Sequence, residues 1–261
     1  MKSIYGWGLP VEASTYAKDV DFGIRLIHAA MFTIFILWAI FFVYLLVRYR
    51  RREGVPAKRD PEHHGIFSAS LIPDLIVMLF EIALIFFYAI PVWSRIKGHA
   101  PDVPPANRID VVAEQFAWNI HYPGADGKFG RTEMDKIHFS NPLGLDYSDP
   151  AAKDDIVLAN ELHLPTGRPT LIRLTSLDVI HSFWIPSFRI KQDIVPGMAI
   201  PLWVEPDRPG TYELSCAQLC GFAHSLMRAT VIVQTPEDYA KWLKSAAPSV
   251  AAASTNTGQS W

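Results

Sequence analysis

Cysteine is scarce in this chain, charge is scarce, and neither sign of charge is in excess. Two cysteines in 261 residues exclude a small scaffold stapled by many disulfides. Charged residues make up 19%, and 24 Lys+Arg against 26 Asp+Glu leave a formal net charge of -2. That balance excludes a strongly basic nucleic-acid binder. Half of the residues are hydrophobic, which excludes a disordered polymer. There is no C-x-x-C-H sequence, so haem is not attached in the c-type manner. No short apolar h-region precedes the first long apolar run, so no ordinary secretory signal is expected. Beyond Pro91 no long segment with a 3.6-residue period appears.

What is present is concentrated. Between Ala29 and Val47 no residue is charged, enough to cross about 30 Å of hydrocarbon as a helix of roughly 20 residues. Ile24 to Ile27 extends that run, with Arg25 and His28 near the interface. A second run spans Leu71 to Trp93 and carries Asp74 and Glu81. An acid at membrane depth costs a few kcal/mol, so Glu81 is expected to face protein or a water-filled path. Pairing with a neighbouring helix is the plainer version of that expectation. Between the runs, Arg48, Arg50, Arg51, Arg52, Lys58 and Arg59 outnumber Glu53, Asp60 and Glu62. The positive-inside rule puts this loop in the cytoplasm and both ends of the chain outside.

Arg95 to Ala106 reads as a polar, proline-rich linker. From Arg108 to Gln234, short apolar runs alternate with Pro, Gly, Asn and Asp. IDVVAE, NIHY, PTLIRLT, DVIHSFWI, IPLWVE, TYELS and RATVIVQ read as strands, which predicts a β-sandwich or barrel. Ser140 to Asp155 reads as an insertion between strands, and Glu237 to Lys244 as a short helix before a low-complexity tail. The expected division is an outer N-terminal segment over 1–22, a transmembrane helical hairpin over 23–95, an all-β domain over 105–236, and a short helix with a flexible tail over 237–261.

Both cysteines fall in one stretch, Cys216-Ala-Gln-Leu-Cys220-Gly-Phe-Ala-His224-Ser-Leu-Met227. Two thiols, an imidazole and a thioether are soft and borderline donors, which select copper over Mg²⁺ or Ca²⁺. A mononuclear copper site uses one Cys; a second thiolate can bridge, so the expected site is dinuclear. His181, in Asp178-Val-Ile-His181-Ser-Phe-Trp184, supplies a further imidazole. A Cys216–Cys220 disulfide is the alternative, but it leaves His224 and Met227 without a purpose.

The hairpin followed by a β domain, the run from Asp178 to Gly197 and the Cys216 to Met227 loop together resemble subunit II of haem-copper cytochrome c oxidase. The resemblance covers about residues 20 to 240. It implies a cupredoxin Greek-key barrel holding a dinuclear copper A centre. By that resemblance Cys216 and Cys220 bridge two coppers, His181 and His224 cap one each, Met227 is a weak ligand, and Gln218 contributes its backbone carbonyl. It further implies electrons received from cytochrome c, passed to haem in subunit I for reduction of oxygen to water, and coupled to proton translocation. The implied partners are subunit I, subunit III, cytochrome c and membrane lipid, in a bacterial inner membrane with the copper domain on the periplasmic side.

Three departures from the family pattern matter. Position 218 is commonly Glu there, which also binds Mg²⁺; the neutral amide of Gln218 puts that Mg²⁺ in doubt. Members often carry Trp-Tyr-Trp where this chain has Phe116-Ala117-Trp118, so Phe116 and Trp118 become the candidates for the point at which electrons come in. The acid at the mouth of a proton path is open among Glu62, Asp74 and Glu81. Asp178 and Asp193 are candidates for steering a basic cytochrome, with solvated turn acids as the plain alternative. Lys191 and Asp193 read as part of a turn from Ile190 to Pro196 that packs against subunit I. The rival from another class is a membrane-anchored copper chaperone for oxidase assembly, which needs a thioredoxin-like βαβ pattern that this chain lacks. A copper-free quinol-oxidase subunit lacks the paired cysteines, and a stand-alone cupredoxin carrier has no need of an intramembrane acid.

Overall fold

Residues 8–54, 71–98 and 100–246 are described by a computed structural model. Glu62, most of the basic loop and the expected C-terminal tail lie outside the described residues. The chain divides into two compact units, Asp19–Gly98 and the remainder.

The first unit contains two helices long and apolar enough to cross a membrane. Helix α1 covers Ala17–Arg48, with Asp19 in its first turn and Arg48 in its last, each sign opposing the helix dipole. Helix α2 covers Leu71–Gly98. It widens into a π turn at Ile85–Ala89, just before Pro91, whose missing N–H and bulky ring disturb the hydrogen-bond ladder. A second π turn, Ser94–Gly98, ends it, so part of the expected linker is helix. Within this unit, Arg95 pairs with Asp19 and the Phe22 and Tyr88 rings meet at 5.4 Å. Gly23 permits that approach, since a Cβ there would lie 2.8 Å from the Tyr88 ring. Phe35, Trp38, Phe86 and Phe87 stand exposed, as lipid-facing side chains would. Glu81 is exposed too.

The second unit is a two-sheet β domain. One sheet has the order β3-β2-β1-β5-β8 and the other β4-β10-β9-β6-β7. The strands are β1 Arg108–Glu114, β2 Ala117–Tyr122, β3 Ile156–Ala159, β4 Glu161–Pro165, β5 Thr170–Ser176, β6 His181–Ile185, β7 Ile190–Ile194, β8 Ile200–Val204, β9 Gly210–Cys216 and β10 Arg228–Gln234. The β1–β5 and β4–β10 pairs are parallel and the rest antiparallel. Alternate residues of β5, β9 and β10 turn inward, and Ile109, Ile120, Leu162, Ile172, Phe183, Leu214 and Val231 fill the space between the sheets. The chain leaves one sheet for the other at Asn160, which sits in the left-handed region (φ 57). Its Oδ1 accepts from Trp118 N–H at 2.9 Å; Asn tolerates that conformation better than most residues.

Seven strands follow the alternation read from the sequence; β3, β4 and β7 do not. In particular Ile190–Ile194 is a strand paired with β6, which corrects the expected turn. Lys191 and Asp193 therefore ride on an edge strand, where they pair with each other at 2.8 Å. The insertion is also longer than expected. It fills residues 123–155 between β2 and β3 and is folded by its own acids. Asp146 pairs with Arg131 and Lys136, and Asp155 accepts from Gly130 N–H and His121 Nε2. At the other end of the sequence, residues 9–16 lie along the β domain. Ala13 N–H donates to Ser187 C=O at 2.9 Å, and Ser14 Oγ–H to Phe188 C=O at 2.9 Å. Helix α3, Pro236–Ala246, stacks Trp242 on His163 at 3.9 Å.

Candidate metal centre

The cysteine loop is the β9–β10 hairpin loop. It is closed at its base by Cys216 N–H donating to Met227 C=O at 3.0 Å. Cys216 is the last residue of β9, and its strand partner is Phe183 on β6. That pairing brings the start of β6, His181, to the same end of the sheet. Gly221, at φ +145, bends the loop back so that His224 and Met227 return toward the cysteines.

Five predicted side chains meet there. The two sulfurs are 3.8 Å apart and both cysteines are free, so the disulfide alternative is not what the fold forms. His181 Nδ1 lies 3.9 Å from Cys216 Sγ, and His224 Nδ1 lies 3.6 Å from Cys220 Sγ. Met227 Sδ is 3.8 Å from Cys220 Sγ and fully buried. The Gln218 carbonyl oxygen is 3.2 Å from Cys216 Sγ, while the Gln218 side chain belongs to an exposed residue. His181, Cys216 and Cys220 offer ligand atoms within 4.8 Å of one another.

The donor set fits copper. Metal–thiolate bonds run about 2.3 Å, so sulfurs 3.8 Å apart can reach the same ion. Asp178 Oδ1 accepts from His181 Nε2–H at 2.8 Å, which places the ring proton on Nε2 and leaves Nδ1 free as a ligand. A cleft of about 380 Å³ opens against Cys216, His224 and Met227. Mg²⁺ fits less well, because the amide at 218 brings no negative charge.

Electrostatics divide the two thiols. Burial pushes the Cys216 thiol up, but the His181 ring, backbone hydrogen bonds at Gln218 and Ser182, and His224 draw it down to about 6. Burial, then the charge of Cys216, push Cys220 up to about 11. For His181, burial lowers the imidazole, and Cys216 and Asp178 outweigh it, so the net direction is upward.

The remaining candidates separate clearly. Trp118 is fully buried, with its ring edge toward His181 at 6.4 Å. It presents no surface to a docking protein. Phe116 sits at the surface against Phe222, centroids 5.0 Å apart, and Phe222 is 96% exposed. Asp178 is committed to His181, Gln115 N–H and Val179 N–H. Burial raises its carboxyl, and these partners hold it below the ordinary value. Asp193 accepts from Ser182 Oγ–H and from Lys191. Both acids thus have local partners. Gln115 was not legible as part of the site; a glutamine before an aromatic carries no chemical signal.

The chain is similar to known proteins. The family model described as Cytochrome C oxidase subunit II, periplasmic domain, matches residues 109–235. The alternative cytochrome c oxidase subunit 2 of Bradyrhizobium diazoefficiens is 34% identical over 251 residues, covering 91% of this chain and 83% of that protein. The cytochrome c oxidase subunit 2 of Thermostichus vulcanus is 32% identical, covering 90% and 77%. A solved structure, the periplasmic domain of subunit II of cytochrome oxidase of Bradyrhizobium japonicum, is 26% identical with a TM-score of 0.42, covering 57% of this chain and 96% of that one.

Proposed function

We propose, on the premise that this chain belongs to the cytochrome c oxidase subunit II family, that it accepts electrons from cytochrome c. It hands them to haem in subunit I of a proton-translocating oxidase. The single observation that carries this reading is the pair of free sulfurs 3.8 Å apart with a histidine Nδ1 beside each. Two copper ions held there would supply a one-electron redox centre.

The chain's own residues prepare that centre. Cys216 and Cys220 would hold the copper through their sulfurs, His181 and His224 through Nδ1, Met227 through its thioether and Gln218 through its carbonyl. Asp178 fixes the tautomer and orientation of His181, and such second contacts tune a metal's potential. Trp118 lies against the His181 ring and is itself packed on Phe183, with ring centroids 5.9 Å apart, and the burial of His181 keeps bulk water from it. Donors anchored on β6 and on the β9–β10 loop of a packed domain would shift little between redox states, which would favour rapid electron transfer. Phe116 is the surface aromatic through which electrons come in.

In this reading α1 and α2 cross the bacterial inner membrane, the basic loop is cytoplasmic and the β domain periplasmic. Glu81 would face another protein helix or a water-filled path. Subunits I and III cover the helix faces. The division into an outer N-terminal segment, hairpin, copper domain and tail belongs to the same proposal. Mg²⁺ is not assigned to position 218.

Electron paramagnetic resonance of the full-length, copper-loaded chain in detergent tests this function. A seven-line hyperfine pattern is expected from one electron on two equivalent copper nuclei. A four-line pattern, from a single copper, refutes it. In the assembled oxidase, Cys216→Ser should abolish cytochrome c oxidation.

A further inference from the structure

All the metal donors lie on one sheet or its loop, in β6 and the β9–β10 connection. The turn between β1 and β2 belongs to the other sheet, yet it touches both arms of the centre through one residue. Gln115 Nε2–H donates to the Cys220 carbonyl at 2.5 Å. Gln115 backbone N–H donates to Asp178 Oδ2 at 2.7 Å, and the other oxygen of that carboxylate holds His181 Nε2 at 2.8 Å. The same turn lies directly over Gly221. A Cβ at 221 would stand 2.8 Å from the Phe116 ring and 2.9 Å from Gln115 Nε2. The dipeptide Gln115-Phe116 therefore rests on backbone at the crest of the cysteine loop, with no side chain between.

We propose that Gln115 is a positioning residue, an inter-sheet strut that holds the Cys220 arm of the metal loop against the His181 arm and seats Phe116 on the loop. The proposal rests on the metal reading above but makes its own claim. Without the strut the loop is tied to the rest of the domain chiefly through its base, and Cys220, His224 and Phe222 can drift together away from Cys216 and His181. The side-chain amide carries the effect, because a substitution by any residue other than proline keeps the backbone N–H that bonds Asp178.

Two variants of the full-length chain separate positioning from mere folding. Gln115→Met keeps the volume and removes the donor; Gln115→Lys keeps a donor on a stem of similar reach. In metal-free protein, Gln115→Met should raise amide hydrogen exchange within 217–227 about fivefold while leaving β5 and β10 unchanged. After copper loading it should speed copper release to a chelator by about tenfold and change the hyperfine pattern, as second contacts to metal sites do. Gln115→Lys should restore all three. Exchange, release and hyperfine pattern that match wild type in Gln115→Met overturn the proposal. A wild-type chain that takes up a single copper refutes the dinuclear function instead, and the exchange measurement still decides the strut.

Discussion

In the metal-free chain the two thiols should ionise far apart, and the gap follows from what each sulfur faces. Cys216 sits against the His181 ring and backbone hydrogen bonds that favour the thiolate over the burial opposing it, and ends at about 6. Cys220 is buried beside the charge that Cys216 then carries, and ends at about 11. The ordinary value for both is 9.0. At pH 7 a thiol at about 6 is roughly nine-tenths thiolate, against about one part in a hundred for an ordinary one. The ionised fraction therefore rises about 90-fold. Intrinsic nucleophilicity falls by about 20-fold over the same three units, from a Brønsted coefficient near 0.45. Ionisation and nucleophilicity together favour Cys216 by only about fourfold over an ordinary thiol at pH 7, and burial of its sulfur slows the reagent further, but its rate should break near pH 6. The linkage signs are opposite for the two groups. The Cys216 contribution to stability is complete above about 9 and lost as pH falls through about 6; that of Cys220 is complete below about 9 and lost as pH rises through about 11. Ultraviolet thiolate absorbance counts the charges, and mass-spectrometric alkylation profiles assign them. One thiolate per chain between about pH 7 and 9, with His181→Ala moving the break upward, is the expected result. Two thiols titrating together near the ordinary value would refute the reasoning.

The other outcomes concern packing and acid. Phe183 is fully buried, lies against Trp118 and pairs across strands with Cys216. Phe183→Ala should cost about 3–5 kcal/mol in denaturant unfolding of the β domain and weaken copper binding with it; a loss under about 1 kcal/mol would contradict the packing described. Asp146 is held well below the usual carboxylate range by Arg131, then Lys136 and Ser148. A depressed carboxylate stabilises above its ordinary value and loses that effect as pH falls below it. Proteolysis or hydrogen exchange of segment 123–155 should therefore increase below about pH 4, and Asp146→Asn should show the loosened state already at pH 7. A segment equally protected in both proteins at both pH values would remove the clamp from the account.

Local features were readable in advance. The apolar runs at Ala29–Val47 and Leu71–Trp93 carry their own length, and the helices α1 and α2 follow from it. Strands such as Thr170–Ser176, which alternate along their length, announce the face they bury. Strands β3 and β4 escaped notice because each is short, Ile156–Ala159 and Glu161–Pro165, and they flank a single left-handed Asn. Strand β7 escaped because Lys191, Gln192 and Asp193 occupy an edge, where alternation is not enforced by a core. The chemistry of the Cys216 to Met227 loop was legible for the same reason as the helices, since five of its donors lie within twelve residues.

Sequence alone thus determined the membrane-capable hairpin, the β class of the domain and the chemical identity of the donors, because each depends on residues close together along the chain. Tertiary structure decided which donors meet and how they are held. It brought His181 across 35 positions to Cys216, buried Trp118 where it cannot be touched, and tied Asp178 to His181 instead of leaving it free in solvent. It also carried Gln115 over 105 positions to the Cys220 carbonyl. The His181–Cys216 and Gln115–Cys220 contacts join residues far apart in the chain, and their distances are set by how the strands and sheets pack, which no local pattern of side chains encodes.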